Sequence, residues 1–154
     1  DYPIVDLILG AEKNTLSEKL QQRISDYTRQ GGNLMLSGSY LGSILPTHLA
    51  QNTLKFTYGG SMYGVTSGQV FGANTTLSFP TQVNEKSYAV PAPDCLLPTA
   101  GAYSTFVYTP GNYGAGIAYK GTDYRTFVLG FPFESIDNAQ HRSRIMKAAL
   151  DLFK

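Results

Sequence analysis

The order of the first forty residues constrains this chain most: an apolar run, a helical stretch, then a second apolar run. Pro3 to Gly10 reads Pro-Ile-Val-Asp-Leu-Ile-Leu-Gly. A nearly unbroken apolar run stopped by glycine suits a strand buried on both faces, as in parallel sheets. Thr15 and Glu18 then stand at capping-box spacing, where a hydroxyl accepts from an amide and the carboxylate reaches back. Leu16, Leu20, Ile24 and Tyr27 come next at helical spacing and form one apolar face. Gly31-Gly32 stops the helix, and Asn33 to Ser37 is the second apolar run. Strand, helix and strand with short connections predict a right-handed parallel crossover.

The rest reads differently. Leu54 to Tyr58 alternates as a strand does, and Gly59, Gly60, Gly64, Gly68 and Gly72 punctuate the next stretch. Thr76 to Phe79 is a short β candidate, and Pro91, Pro93 and Pro98 predict an irregular loop over 91–98. Residues 59–104 are therefore expected to be an irregular insertion. Tyr103 to Tyr108, Ala115 to Tyr119 and Arg125 to Gly130 are β runs. Turns at Pro110-Gly111-Asn112 and Lys120-Gly121-Thr122-Asp123 separate them, which predicts an antiparallel meander. Asp137 or Asn138 caps a last helix with Ile145, Ala148, Ala149 and Leu152 inward.

The 154 residues suit one domain, residues 1–154. A net charge of +1 with no Lys/Arg run argues against nucleic acid or an anionic membrane as partner. No apolar stretch is long enough for a membrane span, and no signal peptide is visible. Cys95 is the one cysteine, so no internal disulfide forms and a zinc site lacks thiolates; no metal or cofactor site is expected. The 11 tyrosines suit half-buried strand positions more simply than a sugar-handling surface. A start at Asp1 on a strand-like run reads as a piece of a longer multidomain chain.

The segment Gly31 to Gly42 carries the most chemical information. A strand ends, and Gly38-Ser39-Tyr40-Leu41-Gly42 comes after it. Glycines two before and two after a central residue are what a strand-to-helix elbow requires, because its centre is strained and flanking side chains would clash. A working elbow centres on Ser or Cys. Here it is Tyr40, whose phenol, with a pKa of about 10, is a poor acyl-transfer nucleophile.

On these residues the chain resembles the class I glutamine amidotransferases, whose elbow reads Gly-x-Cys-x-Gly. Their second signature is a strand ending in Phe-His-Pro-Glu; here Gly130-Phe131-Pro132-Phe133-Glu134 keeps Phe131 and Glu134 but has Pro132 at the histidine position. Ile4 to Gly10 resembles the strand ending at that family's oxyanion glycine. Gln30 to Leu34, Ser37 to Tyr40, Gly116 to Gly121 and Leu129 to Glu134 further resemble amidotransferase-like modules of large secreted proteins of Gram-negative gut bacteria, described as xanthan-lyase-like or golvesin-related. The resemblance implies an α/β fold: a three-layer, flavodoxin-like sheet, mostly parallel, incomplete at its N-terminal edge, with an antiparallel extension. It also implies an extracytoplasmic setting and a multidomain parent. Without thiolate and imidazole there is no activated nucleophile, so amidotransferase activity is not expected.

Other candidates have simpler readings beside them. Ser39 with His48 or His141 suggests a hydrolase triad, but Ser39 is one residue off the elbow centre, and two surface histidines suffice. Cys95 lacks an elbow and a nearby histidine, which favours a buried thiol. Glu134 suits a general acid, or a salt bridge with Arg125 or Arg142. Asp6 is a buried functional carboxylate or a polar residue at a strand edge. Lyases of acidic sugars need a base and a cation, which Tyr40 with Lys120 or Arg125 would supply. Open α/β sheets bind ligands beyond the strands' C-terminal ends, so Gly10, Ser39, Tyr40 and Glu134 are expected to line one crevice. Two functions are open at this point: a non-catalytic structural or binding module touching neighbouring domains or glycan, or a polysaccharide lyase or hydrolase using Tyr40 and Glu134.

Overall fold

The computed structural model describes residues 2–65, 67–70, 76–78, 88–109 and 111–154; Gly72, Phe79 and Pro110 lie outside them. β1 (Ile4–Gly10) and β2 (Asn33–Gly38) pair in parallel, with Ile4 opposite Asn33. Helix α1 (Glu18–Arg29) connects them. Its cap is Ser17 rather than Thr15: the Ser17 hydroxyl accepts from the Leu20 amide at 3.3 Å. The same hydroxyl-to-third-residue geometry is made two residues later, and Glu18 moves into the helix's first turn, where the dipole favours it.

The sequence predicts β1 buried on both faces; only one is covered. Val5, Leu7 and Leu9 pack inward, while Ile4, Asp6 and Ile8 are exposed. β1 is the outermost strand of its sheet. An apolar run reports that a strand is apolar, not which face has a neighbour.

Five more strands complete this sheet: β4 (Ser67–Val70), β5 (Thr76–Ser78), β7 (Ala102–Thr109), β8 (Gly114–Lys120) and β9 (Arg125–Leu129). The order is β1-β2-β9-β8-β7-β4-β5. Among the described residues only β1–β2 and β2–β9 are parallel; β9–β8, β8–β7, β7–β4 and β4–β5 are antiparallel. β3 (Phe56–Ser61) and β6 (Asp94–Pro98) form a separate antiparallel pair. The expected flavodoxin-like, mostly parallel amidotransferase-like sheet is thus corrected to a mixed one in which antiparallel pairing predominates. A helical crossover brings β2 back parallel to β1, whereas tight turns return β8 and β9 antiparallel. The expected irregular loop at 91–98 is likewise replaced from Asp94 by β6. Pro91 and Pro93 precede this strand and Pro98 ends it, where a proline does least harm to a ladder.

Each face of the larger sheet has its own core, because alternate residues of one strand point opposite ways. Leu34 and Leu36 of β2 join Ile24 of α1, Phe56 of β3, Leu96 of β6 and Val128 of β9. Met35, between them, joins Phe106, Phe127 and Leu129 on the other face. There helix α3 (Ala139–Leu152) covers the sheet with Ile145, Ala149 and Leu152. Asn138 caps α3, its side-chain oxygen accepting from the amides of Gln140 at 2.8 Å and His141 at 3.1 Å. Burying each such large apolar side chain stabilises the fold by roughly 1.5–3 kcal/mol. No helix among the described residues is long and apolar enough to cross a membrane.

Candidate functional site at the strand-to-helix elbow

After Gly38 the chain turns sharply into α2 (Leu41–Ile44). Tyr40, at the elbow's centre, has φ 63° and ψ 18°. A non-glycine residue held in this left-handed region costs about 1–2 kcal/mol, so the surrounding structure must enforce it. Gly42 is required for a different reason. A Cβ there would lie 2.1 Å from the Tyr58 ring, so glycine lets β3 lay Tyr58 against the elbow.

Asp94 at the start of β6 holds the elbow in place. Its carboxylate accepts from the Gly42 amide at 2.8 Å. It is fully buried. Burial pushes its pKa up to about 6, and the amides of Gly42, Tyr40 and Leu41 oppose that rise. The backbone of the same residue ties down the segment after β9. The Asp94 amide donates to the Gly130 carbonyl at 2.7 Å, and the Tyr108 hydroxyl donates to the Asp94 carbonyl at 2.8 Å. Asp94 thus links the elbow to the Gly130–Glu134 segment, and both lie at the C-terminal ends of adjacent parallel strands, with Ser37 opposite Leu129. A Cβ at Gly130 would approach the Asp94 carbonyl oxygen to 2.2 Å, so only glycine permits this contact.

Sequence reasoning missed Asp94. It lies 52 positions from Gly42 and belongs to no periodic pattern. The one available signal was a single acid beside the apolar run Cys95-Leu96-Leu97.

The expected crevice residues divide between two faces. The Ser39 amide donates to the Gly10 carbonyl at 2.9 Å, and Ser39 is fully buried. Glu134 lies beside Gly10, within 3.4 Å of where a Cβ would be. The Tyr88 hydroxyl donates to Glu134 Oε1 at 2.5 Å, and Glu134 Oε2 is buried without a partner. Partial burial and then the Glu134 charge raise the Asp6 pKa; Asp6 lies with Ile4 and Ile8 on the outward face of β1. Tyr40 goes the other way. It packs against the same core cluster as Val5, Leu7 and Leu9, and the Lys13 ammonium stands 5.0 Å from the ring centroid. The structure therefore brings Gly10 together with Ser39 and with Glu134, while the Tyr40 ring packs toward the opposite face.

The remaining candidates separate. Glu134 pairs with Tyr88 rather than with an arginine; Arg125 donates to the Phe153 carbonyl at 3.0 Å and Arg142 to that of Ile136. Lys120 pairs across the sheet with Arg125, at the strand ends away from the elbow, so the cation near Tyr40 is Lys13. Cys95 is buried, and its thiol pKa is raised, chiefly by burial. His48 is exposed and His141 lies in the first turn of α3. No group of three or more metal-ligating side chains occurs among the described residues.

Comparison with solved structures places the fold. The chain resembles part of the β-galactosidase of the Antarctic haloarchaeon Halorubrum lacusprofundi, with TM-score 0.64 and 17% identity, over 97% of this chain and 22% of that one. The β-galactosidase of Bacillus circulans sp. alkalophilus gives TM-score 0.58 at 11% identity over 97% and 22%. The mmIFT52 N-terminal domain gives 0.61 at 12% identity over 98% and 76%. At these identities the likeness concerns the fold alone. The chain spans about a fifth of the length of the β-galactosidases it resembles. These neighbours are β-galactosidases and an mmIFT52 domain rather than glutamine amidotransferases. No family model matches the chain, and no curated protein does.

Proposed function

We propose that this chain is a non-catalytic module of a larger, extracytoplasmic, carbohydrate-handling protein, and that its elbow is retained as a structural joint. The observation that carries this reading is the Asp94 carboxylate on the Gly42 amide, 2.8 Å away. In an acyl-transfer enzyme, amides at such an elbow stabilise the charge that develops on the substrate. Here the protein's own carboxylate takes that place, and Tyr40 stands where the nucleophile belongs. The fold likeness to parts of β-galactosidases supports a carbohydrate setting. The exposed rings of Tyr58, Tyr63 and Tyr113 suit stacking on sugar faces. We assign the contact with glycan or a neighbouring domain to the rim around Gly10 and Glu134, with Ser39 buried beneath it and Tyr40 on the other side of the elbow.

The test is turnover of glutamine and of acidic polysaccharides, with Tyr40→Phe and Glu134→Gln as controls. The expected result is no turnover above the blank for any of the three proteins. Robust turnover that disappears in Tyr40→Phe overturns the proposal.

A further inference from the structure

β1 is the outermost strand of the larger sheet, and no strand among the described residues pairs with its other edge. The Pro3 carbonyl accepts from the Asn33 amide at 3.1 Å. Backbone groups alternate in direction along a strand, so those of Val5 and Leu7 also turn toward β2. Those of Ile4, Asp6 and Ile8 turn to the open edge. Such an edge is a template for another extended chain, and proteins blunt it with lysine, proline or a bulge. β1 contains no lysine and no proline, and its register shift comes only at the end, between Ile8 and Gly10.

The side chains of the same three residues share the outward face of the strand. Ile4 is 37% exposed and Ile8 48%, and the exposed Asp6 stands between them. The accessible surface is therefore an aliphatic pair with a carboxylate at its centre. Glu134 lies beside Gly10 at the end of the strand, so the surface runs into the rim described above. Neither Asp6 nor Glu134 forms an ion pair among the described residues; the acids that do are Asp26 and Asp151.

These features select among occupants. A second copy would pair antiparallel about a two-fold axis. Matching Ile4 with Ile8 then sets Asp6 opposite Asp6, and like charges directly opposite are destabilising. Sliding that pair by two residues sets the carboxylate against isoleucine, with no partner for its charge. A neutral glycan brings no charge to Asp6, and the aliphatic side chains offer no ring for it to stack on. A strand with a cation between two apolar residues answers the ladder, the isoleucines and the carboxylate together.

We infer that the open edge of β1 is the docking site for an extended segment of a neighbouring domain that carries a lysine or arginine between two apolar residues at alternate positions. The segment adds a strand to the sheet, its cation meets Asp6, and its apolar residues cover Ile4 and Ile8. Main-chain hydrogen bonds supply the affinity in this mode of recognition, and alternate side chains supply the specificity. The inference rests on the reading of this chain as a module of a larger protein and names the chemistry of its neighbour.

The probe is the capped peptide Thr-Val-Thr-Lys-Thr-Val-Thr, whose pattern is the same in either direction. It is titrated into the ¹⁵N-labelled chain and followed by amide chemical shifts. Saturable shifts are expected at residues 4–10 and 33–38. The peptide with glutamate for lysine, and a scrambled peptide of the same composition without the alternation, should each bind about tenfold more weakly or worse. Asp6→Asn changes an exposed side chain, so folding should persist, and it should weaken binding about fivefold. Asp26→Asn, on α1 beside Arg29, should leave binding unchanged. The inference is overturned by no saturable shifts, by shifts centred away from β1, or by glutamate, scrambled or Asp6→Asn binding as tight as the original. It is overturned equally if maltohexaose moves the same amides with equal affinity, or if the chain associates with itself through residues 4–8. Peptide failure without turnover of glutamine or polysaccharide leaves the non-catalytic reading standing, whereas turnover would sink that reading whatever the peptide does.

Discussion

Asp94 at the elbow and the polar residues under α3 are held differently. At the elbow, Asp94 uses its carboxylate, amide and carbonyl on Gly42, Gly130 and Tyr108. One carboxylate oxygen, Oδ1, is left without a partner. Under α3, Thr105 Oγ1 and His141 Nδ1 make no hydrogen bond, and the guanidinium of Arg144 has no carboxylate among the described residues. A buried polar group bonded from within fixes the shape of its surroundings; Asp94 does this at the elbow, although Ser37 Oγ and Glu134 Oε2 beside it are buried without partners too. At the elbow, the part of the chain that looks most like an active site in sequence, the Gly42 amide is taken up by the protein's own carboxylate.

The sharpest way to break this comparison is to remove the close approach that seats Asp94. Gly130→Ala puts a Cβ against backbone, which cannot move aside as a side-chain tip can. We expect a loss of about 3 kcal/mol or more, or failure to fold, measured by urea denaturation. A near-neutral result would mean that Asp94 does not need its position. Asp94→Ala comes next. It strands the Gly42 amide and should cost about 2–3 kcal/mol in the same assay, with no gain of activity. Tyr108→Phe is the mildest. It removes the hydroxyl that donates to the Asp94 carbonyl and should cost about 1 kcal/mol, readable as a shift of the thermal midpoint.

The elbow was legible in sequence to the extent that it is local. Gly38 and Gly42 bracket a strained Tyr40, and the β1–α1–β2 order comes from apolar spacing. What holds the elbow was not legible, because Asp94 reaches it only after the chain has folded back through β6. The pairing sense of the sheet failed for a related reason. The first forty residues state a parallel crossover clearly, but the turns of the last third add antiparallel pairs that outnumber it. The uncovered face of β1 was illegible because burial depends on a neighbour, not on the strand. The β-bulge at Thr105, between the pairs Ser104–Ile117 and Phe106–Gly116, was hidden because a bulge shifts register by one residue, which no alternation pattern announces.

The central claim is that Asp94 is a buried carboxylate seated on the elbow, and its own titration tests this directly. A folded-state pKa above the unfolded value means that the folded protein holds the proton more tightly. The associated stability is then full below about pH 4 and is lost as pH rises to about 6, by up to about 3 kcal/mol. Carboxyl ¹³C shifts should show Asp94 titrating at about 6, with the Gly42 amide shifting in step, and Asp94→Asn should abolish both changes. An Asp94 midpoint at the ordinary aspartate value of about 3.9, with the Gly42 amide silent, would contradict the account.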